Sequence, residues 1–162
     1  MNKYLPHVLV LPEDDADRQL ANGFLKEESV ATARIQVLRE AGGWREVLSR
    51  FESDHVGEMD SYPGRFMILL IDFDDKGEER FNEAKAVIPD RLAARVFVLG
   101  AQKEPQDLTR AGLGSFETIG RELAKDCRDD TYTTWGHPQL RHNAVELDRL
   151  RRVVRPILFQ PI

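Results

Sequence analysis

A chain of 162 residues that is 41% hydrophobic and 31% charged is long enough to bury a core as a single domain, and its composition excludes a disordered or fibrous protein. The net charge of −5 and an isoelectric point near 5.4 exclude coating of nucleic acid by charge alone, so any such contact has to be local and metal-assisted. A single cysteine, Cys127, excludes an internal disulfide, no apolar run reaches the roughly 18–20 residues that span a bilayer, and the N-terminus lacks a signal-peptide pattern, so a cytoplasmic protein without a membrane partner is expected.

In chain order, residues 4–11 (YLPHVLVL) form the first apolar run, and Val8 to Leu11 have the length and type of a buried strand. The run ends in Pro12, Glu13, Asp14, Asp15, Ala16 and Asp17. Capping of the helix expected over residues 18–28 explains part of this acidity, but each further carboxylate at one helix end gains less and repels its neighbours more. Leu20, Ala21, Phe24 and Leu25 recur at helical spacing and mark the core side of that helix. Residues 33–38 (ARIQVL) predict a third strand-forming run, and after Gly42-Gly43 the residues Trp44, Val47, Leu48 and Phe51 trace an amphipathic helix. Residues 52–65 are polar, with two glycines and a proline, and predict a loop.

Residues 66–71 (FMILLI) are apolar without a polar face, as expected of a central strand covered on both sides. They run directly into Asp72, Phe73, Asp74 and Asp75. Side chains alternate along an extended chain, so Asp72 and Asp74 are expected on one side, where two close carboxylates call for a proton or a divalent cation. An acidic turn that merely ends the strand is the alternative. A polar helix follows over residues 78–87, then a fourth strand at residues 95–100 (RVFVLG). The alternation predicts an α/β fold: an open, doubly wound, mostly parallel sheet of at least four strands in one domain, residues 1–162. Within it, residues 115–127 predict a helix. Residues 128–162 predict a C-terminal loop, rich in groups that could contact a ligand, and a closing helix with Asn143 as N-cap. Arg149, Arg151, Arg152 and Arg155 form a basic cluster that reads as a solvated helical face or, alternatively, as a phosphate-contacting one. Cys127 falls on an apolar helix face and is expected to be a buried structural thiol. His137 and His142 lack thiolates or carboxylates at zinc spacing and read as loop residues.

The two acidic clusters, each following a strand of a parallel sheet, resemble the Toprim superfamily of topoisomerases, primases and OLD-type nucleases. That family carries a Glu after its first strand in an E-G-x-x-D arrangement and a D-x-D after its third. Glu13 and Asp17 keep the first spacing, with Asp14 in place of the glycine, and Asp72-Phe73-Asp74 supplies the second. Glu104, Asp107 and their neighbours resemble the acidic segment that follows the next strand in OLD-type proteins. The resemblance implies that Glu13, Asp17, Asp72 and Asp74 hold Mg²⁺ or Mn²⁺, and that Glu13, Asp72 and Asp74 serve a nuclease or another phosphoryl-transfer reaction, with nucleic acid or a partner protein as binding partner.

Bacterial receiver domains are a second resemblance, carried by VLVLPEDD and MILLIDFDD. It implies that Asp72 accepts a phosphoryl group, although the Lys-Pro pair that receivers carry after a fifth strand has no counterpart here. A non-catalytic regulatory or scaffold module is the third alternative. Asp72, Asp74, Gly77 and Glu83 also sit at EF-hand spacing, but Lys76 stands where a fifth-position ligand is needed and a strand precedes the loop instead of a helix.

Overall fold

Each of the four apolar runs becomes a strand, because each is short and rich in β-branched or large residues that suit a pleated, packed surface. A computed structural model describes residues 1–159. It contains β1 (His7–Pro12), α1 (Asp15–Leu25), β2 (Ile35–Val37), α2 (Trp44–Arg50), α3 (Val56–Ser61), β3 (Arg65–Leu70), α4 (Gly77–Ala86), β4 (Val96–Leu99), α5 (Gln106–Arg110), α6 (Phe116–Asp129) and α7 (Ala144–Leu158). The strands form one fully parallel sheet in the order β2-β1-β3-β4, with Val8 beside both Ile35 and Phe66, and Leu69 beside Val98. The chain therefore winds outward from β1 to β2, then returns across β1 to β3. That reversal lies between β1 and β3, and in open α/β sheets such a switch point is where ligands bind, in the crevice beyond the strand carboxyl ends.

Alternation along the strands divides the core into two halves. Val8, Val10, Phe97 and Leu99 face α1, α6 and α7, with Leu20, Ile119, Leu147 and Val154 packed against them. Leu9, Leu11, Met67, Leu69 and Val98 face the layer of α2, α3 and α4, with Val47, Phe51, Met59 and Ala84. The expected helices on both faces are present, with two shifts. The first helix starts at Asp15 rather than residue 18, because Asp14 accepts the Asp17 N–H at 3.0 Å and caps it. Residues 52–61, expected as loop, continue the helix of α2 through a π-helical turn (Phe51–His55) into α3. The wider turn spaces Phe51 and Val56 five apart and brings Phe51 and Met59, both fully buried, onto one side, a pattern that a 3.6-residue period hides.

Among the described residues the outer edge of β4 is closed by side chains rather than by a fifth strand. Glu146 accepts the Val98 N–H, Asn143 bonds both the N–H and the carbonyl of Gly100, and Arg149 donates to the carbonyls of Val96 and Ala93. Asn143 thus stands at the N-cap position of α7 without capping it, its amide being engaged by the sheet edge. The basic cluster is not the solvated or phosphate-contacting face expected. Arg151 is only 2% exposed and donates to the Thr131 carbonyl, Arg155 bonds the Arg128 carbonyl, and Arg152 alone of the four is open to solvent.

The loop before α7 is organised by Asp126, whose buried carboxylate accepts from the Thr131 hydroxyl and from the N–H groups of Thr133, Thr134 and Trp135 at 2.6–3.2 Å. This seats the Trp135 indole in the core, where its N–H reaches the Leu123 carbonyl at 3.1 Å. Cys127 is buried as expected, and burial pushes its thiol up to about 11. Native protein at pH 8 is therefore expected to resist iodoacetamide, with alkylation appearing only in denaturant; rapid modification of the folded chain would contradict the burial.

Candidate metal centre

β1 and β3 deliver their carboxyl ends side by side, and the chain beyond each carries acid. The Glu13 N–H continues the ladder to the Leu70 carbonyl at 2.9 Å, and its side chain folds across to accept the Asp72 N–H at 2.5 Å. Asp72 follows Ile68 and Leu70 on the side of the sheet that faces α1. Asp17 meets it from the first turn of that helix. One carboxylate oxygen from each of Glu13, Asp17 and Asp72 lies within 4.8 Å of the other two.

Each acid of the first cluster has its own fate. Asp14 caps α1, and Asp15 points to solvent, bonded to Arg18 and Gln19. Helix-end electrostatics thus accounts for these two. Asp17 is different: it is fully buried, and no donor among the described residues reaches either of its oxygens or Oδ1 of Asp72. An unpartnered ionised carboxylate in that position costs several kcal/mol, so a proton or a cation has to compensate it.

The ionisation behaviour has the same origin. Burial, reinforced by the adjacent Asp72, holds the Asp17 carboxyl well above the usual range. Burial, with the charge of Glu13 adding to it, pushes Asp72 up to about 8. Glu13 is raised by burial too, against the opposing bond from the Asp72 N–H. Three carboxyl groups with raised affinity for protons, crowded at one point, form a site that holds protons at neutral pH unless a cation takes their place.

Asp74 does not join them. Extended pairing with β4 persists through Phe73, whose N–H bonds the Ala101 carbonyl, and then the backbone turns left-handed at Asp74 (φ +49°) and Asp75 (φ +59°). The turn ends the alternation that would have put Asp74 beside Asp72. Its carboxylate is 60% exposed and lies 3.5 Å from Arg80. Glu104 and Asp107 are also outside the cluster, both paired with Arg110 at 2.9 and 2.8 Å. His142 bonds the Gly100 carbonyl at 2.8 Å and meets Phe73 edge-on, while His137 receives the Gln139 N–H within its own loop.

One functional neighbour escaped the sequence reading. Arg80, in the first turn of α4, is largely buried, donates to the Asp72 carbonyl at 2.8 Å and stacks on Trp44 at 4.7 Å. Its charge faces Glu13 closely enough to lower that group's affinity for protons. The available signal was a cation in a helix turn where the macrodipole favours acids.

The three carboxylates fit a small divalent cation, since such ions take oxygen ligands, typically one or two of them carboxylates, and leave their other positions to water or phosphate. The fit rests on the buried, unpartnered oxygens of Asp17 and Asp72. Comparison with known proteins adds no name to this centre: no family model matches the chain, and neither a curated protein nor a solved structure matches it.

Proposed function

We propose that the protein binds Mg²⁺ or Mn²⁺ through Glu13, Asp17 and Asp72 and is a Toprim-like enzyme of phosphoryl transfer, a nuclease or a hydrolase of another phosphate ester. The observation that carries the reading is the convergence of three carboxylates, two of them with unpartnered buried oxygens, at the crevice between β1 and β3. When bound, such an ion supplies charge stabilisation to a phosphoryl oxygen and a water of lowered pKa. Glu13, tethered to the Asp72 N–H, is the carboxylate placed to take or return a proton at the mouth of the crevice. Arg80 places a positive charge beside the same mouth, where a phosphate oxygen would sit. Asp74, exposed and 3.5 Å from Arg80, lies outside the cluster and is not a ligand on this reading. A small phosphate ester suits the crevice better than a duplex, because Arg149, Arg151 and Arg155 are engaged within the fold.

The test is phosphodiesterase and phosphomonoesterase assay on generic nitrophenyl esters and on single-stranded DNA with Mn²⁺, beside Mn²⁺ binding read by electron paramagnetic resonance. Wild type and D74N are expected to bind the ion, and D17N and D72N to lose at least about tenfold in affinity, since changing even a partner of a metal ligand costs about 10–100-fold. Mn²⁺ binding that is equally tight in D17N and D72N overturns the reading.

The strand order favours a second reading. The order β2-β1-β3-β4 matches the first four strands of the flavodoxin and receiver arrangement, in which the end of β3 beside β1 is the ligand position. On that reading Asp72 is a phosphoryl acceptor. Incubation with acetyl phosphate and Mg²⁺, followed by mass spectrometry, discriminates: an acyl-phosphate adduct on Asp72 favours the receiver, and hydrolysis without an adduct favours the Toprim-like enzyme.

A further inference from the structure

His7 and Arg65 open β1 and β3 at the end of the sheet opposite the carboxylates, and both are buried, at 0% and 4% exposure. The Arg65 Nε–H donates to His7 Nε2 at 3.0 Å, and the other ring nitrogen, Nδ1, lies 2.8 Å from the Leu5 carbonyl. A guanidinium does not accept and a carbonyl does not donate, so the geometry admits one form of the ring: neutral, with its proton on Nδ1 and the lone pair on Nε2. A second proton has no place, because an N–H on Nε2 would confront the Arg65 N–H and set one cation against another.

The surroundings do not compensate. Among the described residues the charges that face His7 are Arg65 from β3, Lys3 from the N-terminal segment and Arg34 from the 3-10 turn before β2, all positive. Glu58 of α3, half exposed, stands 3.8 Å from Arg65, and His55, in the π-helical turn before α3, also feels that guanidinium. Burial first, and then the Arg65 charge against the pull of the Leu5 carbonyl, holds the His7 ring below its ordinary value.

The pair fastens residues 1–6, which have little else to hold them. The His7 N–H bonds the Gly64 carbonyl at 3.0 Å, Arg34 bonds the Pro6 carbonyl at 2.8 Å, and Tyr4 meets Tyr62 edge-on at 5.6 Å. Tyr4 and Leu5 are 86% and 43% exposed, so detaching them gives up little buried apolar surface.

We propose that the His7–Arg65 pair is an acid-released latch: at neutral pH it holds residues 1–6 against the start of β3, and in mild acid protonation of His7 frees the segment and uncovers Tyr62 and Arg65 while the sheet stays folded. Once released, the imidazole is in water and titrates near its ordinary value of about 6.5, whereas the held ring stays neutral. Below that pH the released state takes up a proton that the held state lacks, and the ratio of held to released chains falls by up to about tenfold per pH unit. The latch is at full strength above about pH 6.5 and weakens as pH falls. It lies at the far ends of β1 and β3 from Glu13 and Asp72, so it does not rest on the metal reading.

NMR on the full chain, with chelator present, tests both the geometry and the release. At pH 7.5 the long-range proton–nitrogen spectrum is expected to show His7 with its proton on Nδ1. Amide exchange, corrected for its intrinsic pH dependence, is expected to show the His7 N–H opening roughly tenfold more often at pH 5 than at pH 6, with the Val10 amide inside β1 unchanged. His7→Gln, whose amide can accept from Arg65 and donate to Leu5 without titrating, is expected to remove the pH dependence, and His55→Gln to leave it. A His7 proton on Nε2 at pH 7.5, no rise in His7 opening from pH 7 to 5, an equal rise in H7Q, loss of the rise in H55Q, or Val10 opening in step with His7 overturns the proposal. The tautomer and the wild-type exchange decide it even if H7Q fails to fold.

Discussion

Asp72→Asn will make the metal-free protein more stable at pH 8 and flatten its stability between pH 5 and 8. In the folded chain the Asp72 carboxyl is pushed up to about 8, chiefly by burial and then by the charge of Glu13, whereas in an unfolded chain it titrates near its ordinary value of about 4. Between those limits the folded state holds a proton that the unfolded state has released. Stability is then present in full below about pH 4 and is lost as pH rises toward about 8, at about 1.4 kcal/mol per pH unit for each such proton. Asp17, held well above its usual range by burial beside Asp72, adds to the slope in the same direction. Urea denaturation in the presence of chelator measures it. Wild type is expected to lose stability from pH 5 to 8, while the Asn variant loses less and exceeds wild type at pH 8 by at least about 1.4 kcal/mol, the equivalent of one proton over one pH unit.

A divalent cation replaces the proton and should reverse the order. At a hundredfold excess over its dissociation constant it adds about 2.7 kcal/mol to wild type, and more effectively at pH 8 than at pH 5, because its ligands must first lose their protons. Asp72→Asn should show no such gain. Asp74→Asn is the control, since its carboxylate is exposed and outside the cluster, and it should behave as wild type throughout. A wild-type curve that is flat from pH 5 to 8 and indifferent to Mg²⁺ and Mn²⁺ would mean that the carboxylates carry neither proton nor metal, and would favour the scaffold reading.

The strands were legible because an apolar run flanked by turn residues has few other outcomes; all four fall on the runs around Val8, Val37, Leu69 and Val98, with β1 reaching one residue past its run to Pro12 and β3 starting one residue before its run at Arg65. Glu13 and Asp72 were legible for the same reason, since residues at the carboxyl ends of central parallel strands inherit the place where the sheet binds ligands. Asp74 was not. Its expected side followed from strand alternation, which holds only while the chain stays extended, and nothing local distinguishes Asp74 from a residue that continues the strand except the Asp75-Lys76-Gly77 turn signal. Asp17 was reached through spacing and resemblance alone. Its burial, and the absence of a donor to it among the described residues, depend on how α1 leans on the sheet. The arginines of α7 carry the reverse lesson: a basic run is a surface signal only until the backbone carbonyls left free by an edge strand and a loop need donors, as those of Val96 and Thr131 do.

That lean of α1 is set by two glycines at its crossing with α6, Gly23 and Gly120, and changing one of them should cost more than any gain in helix propensity returns. In an exposed helix interior Gly→Ala stabilises by about 1 kcal/mol. Gly57 in α3 meets that description, with nothing within 4 Å of an added methyl, so Gly57→Ala is expected to gain up to about 1 kcal/mol. Gly120 is the opposite case. A methyl there overlaps the Leu20 carbonyl oxygen and the Phe24 nitrogen, both backbone atoms of α1 that no rotamer change moves aside. Overpacking of this kind costs about 1–3 kcal/mol and more where backbone must shift, so Gly120→Ala is expected to lose at least about 1 kcal/mol net of propensity. The helices have to separate, and Asp17 rides on the one that moves. Chemical denaturation of the two variants beside wild type should therefore give shifts of opposite sign, and the Gly120 variant should respond less to Mn²⁺ than its remaining fold content predicts. Equal shifts in the two variants, or an unchanged Mn²⁺ response in Gly120→Ala, would mean that the α1–α6 crossing does not set the position of Asp17.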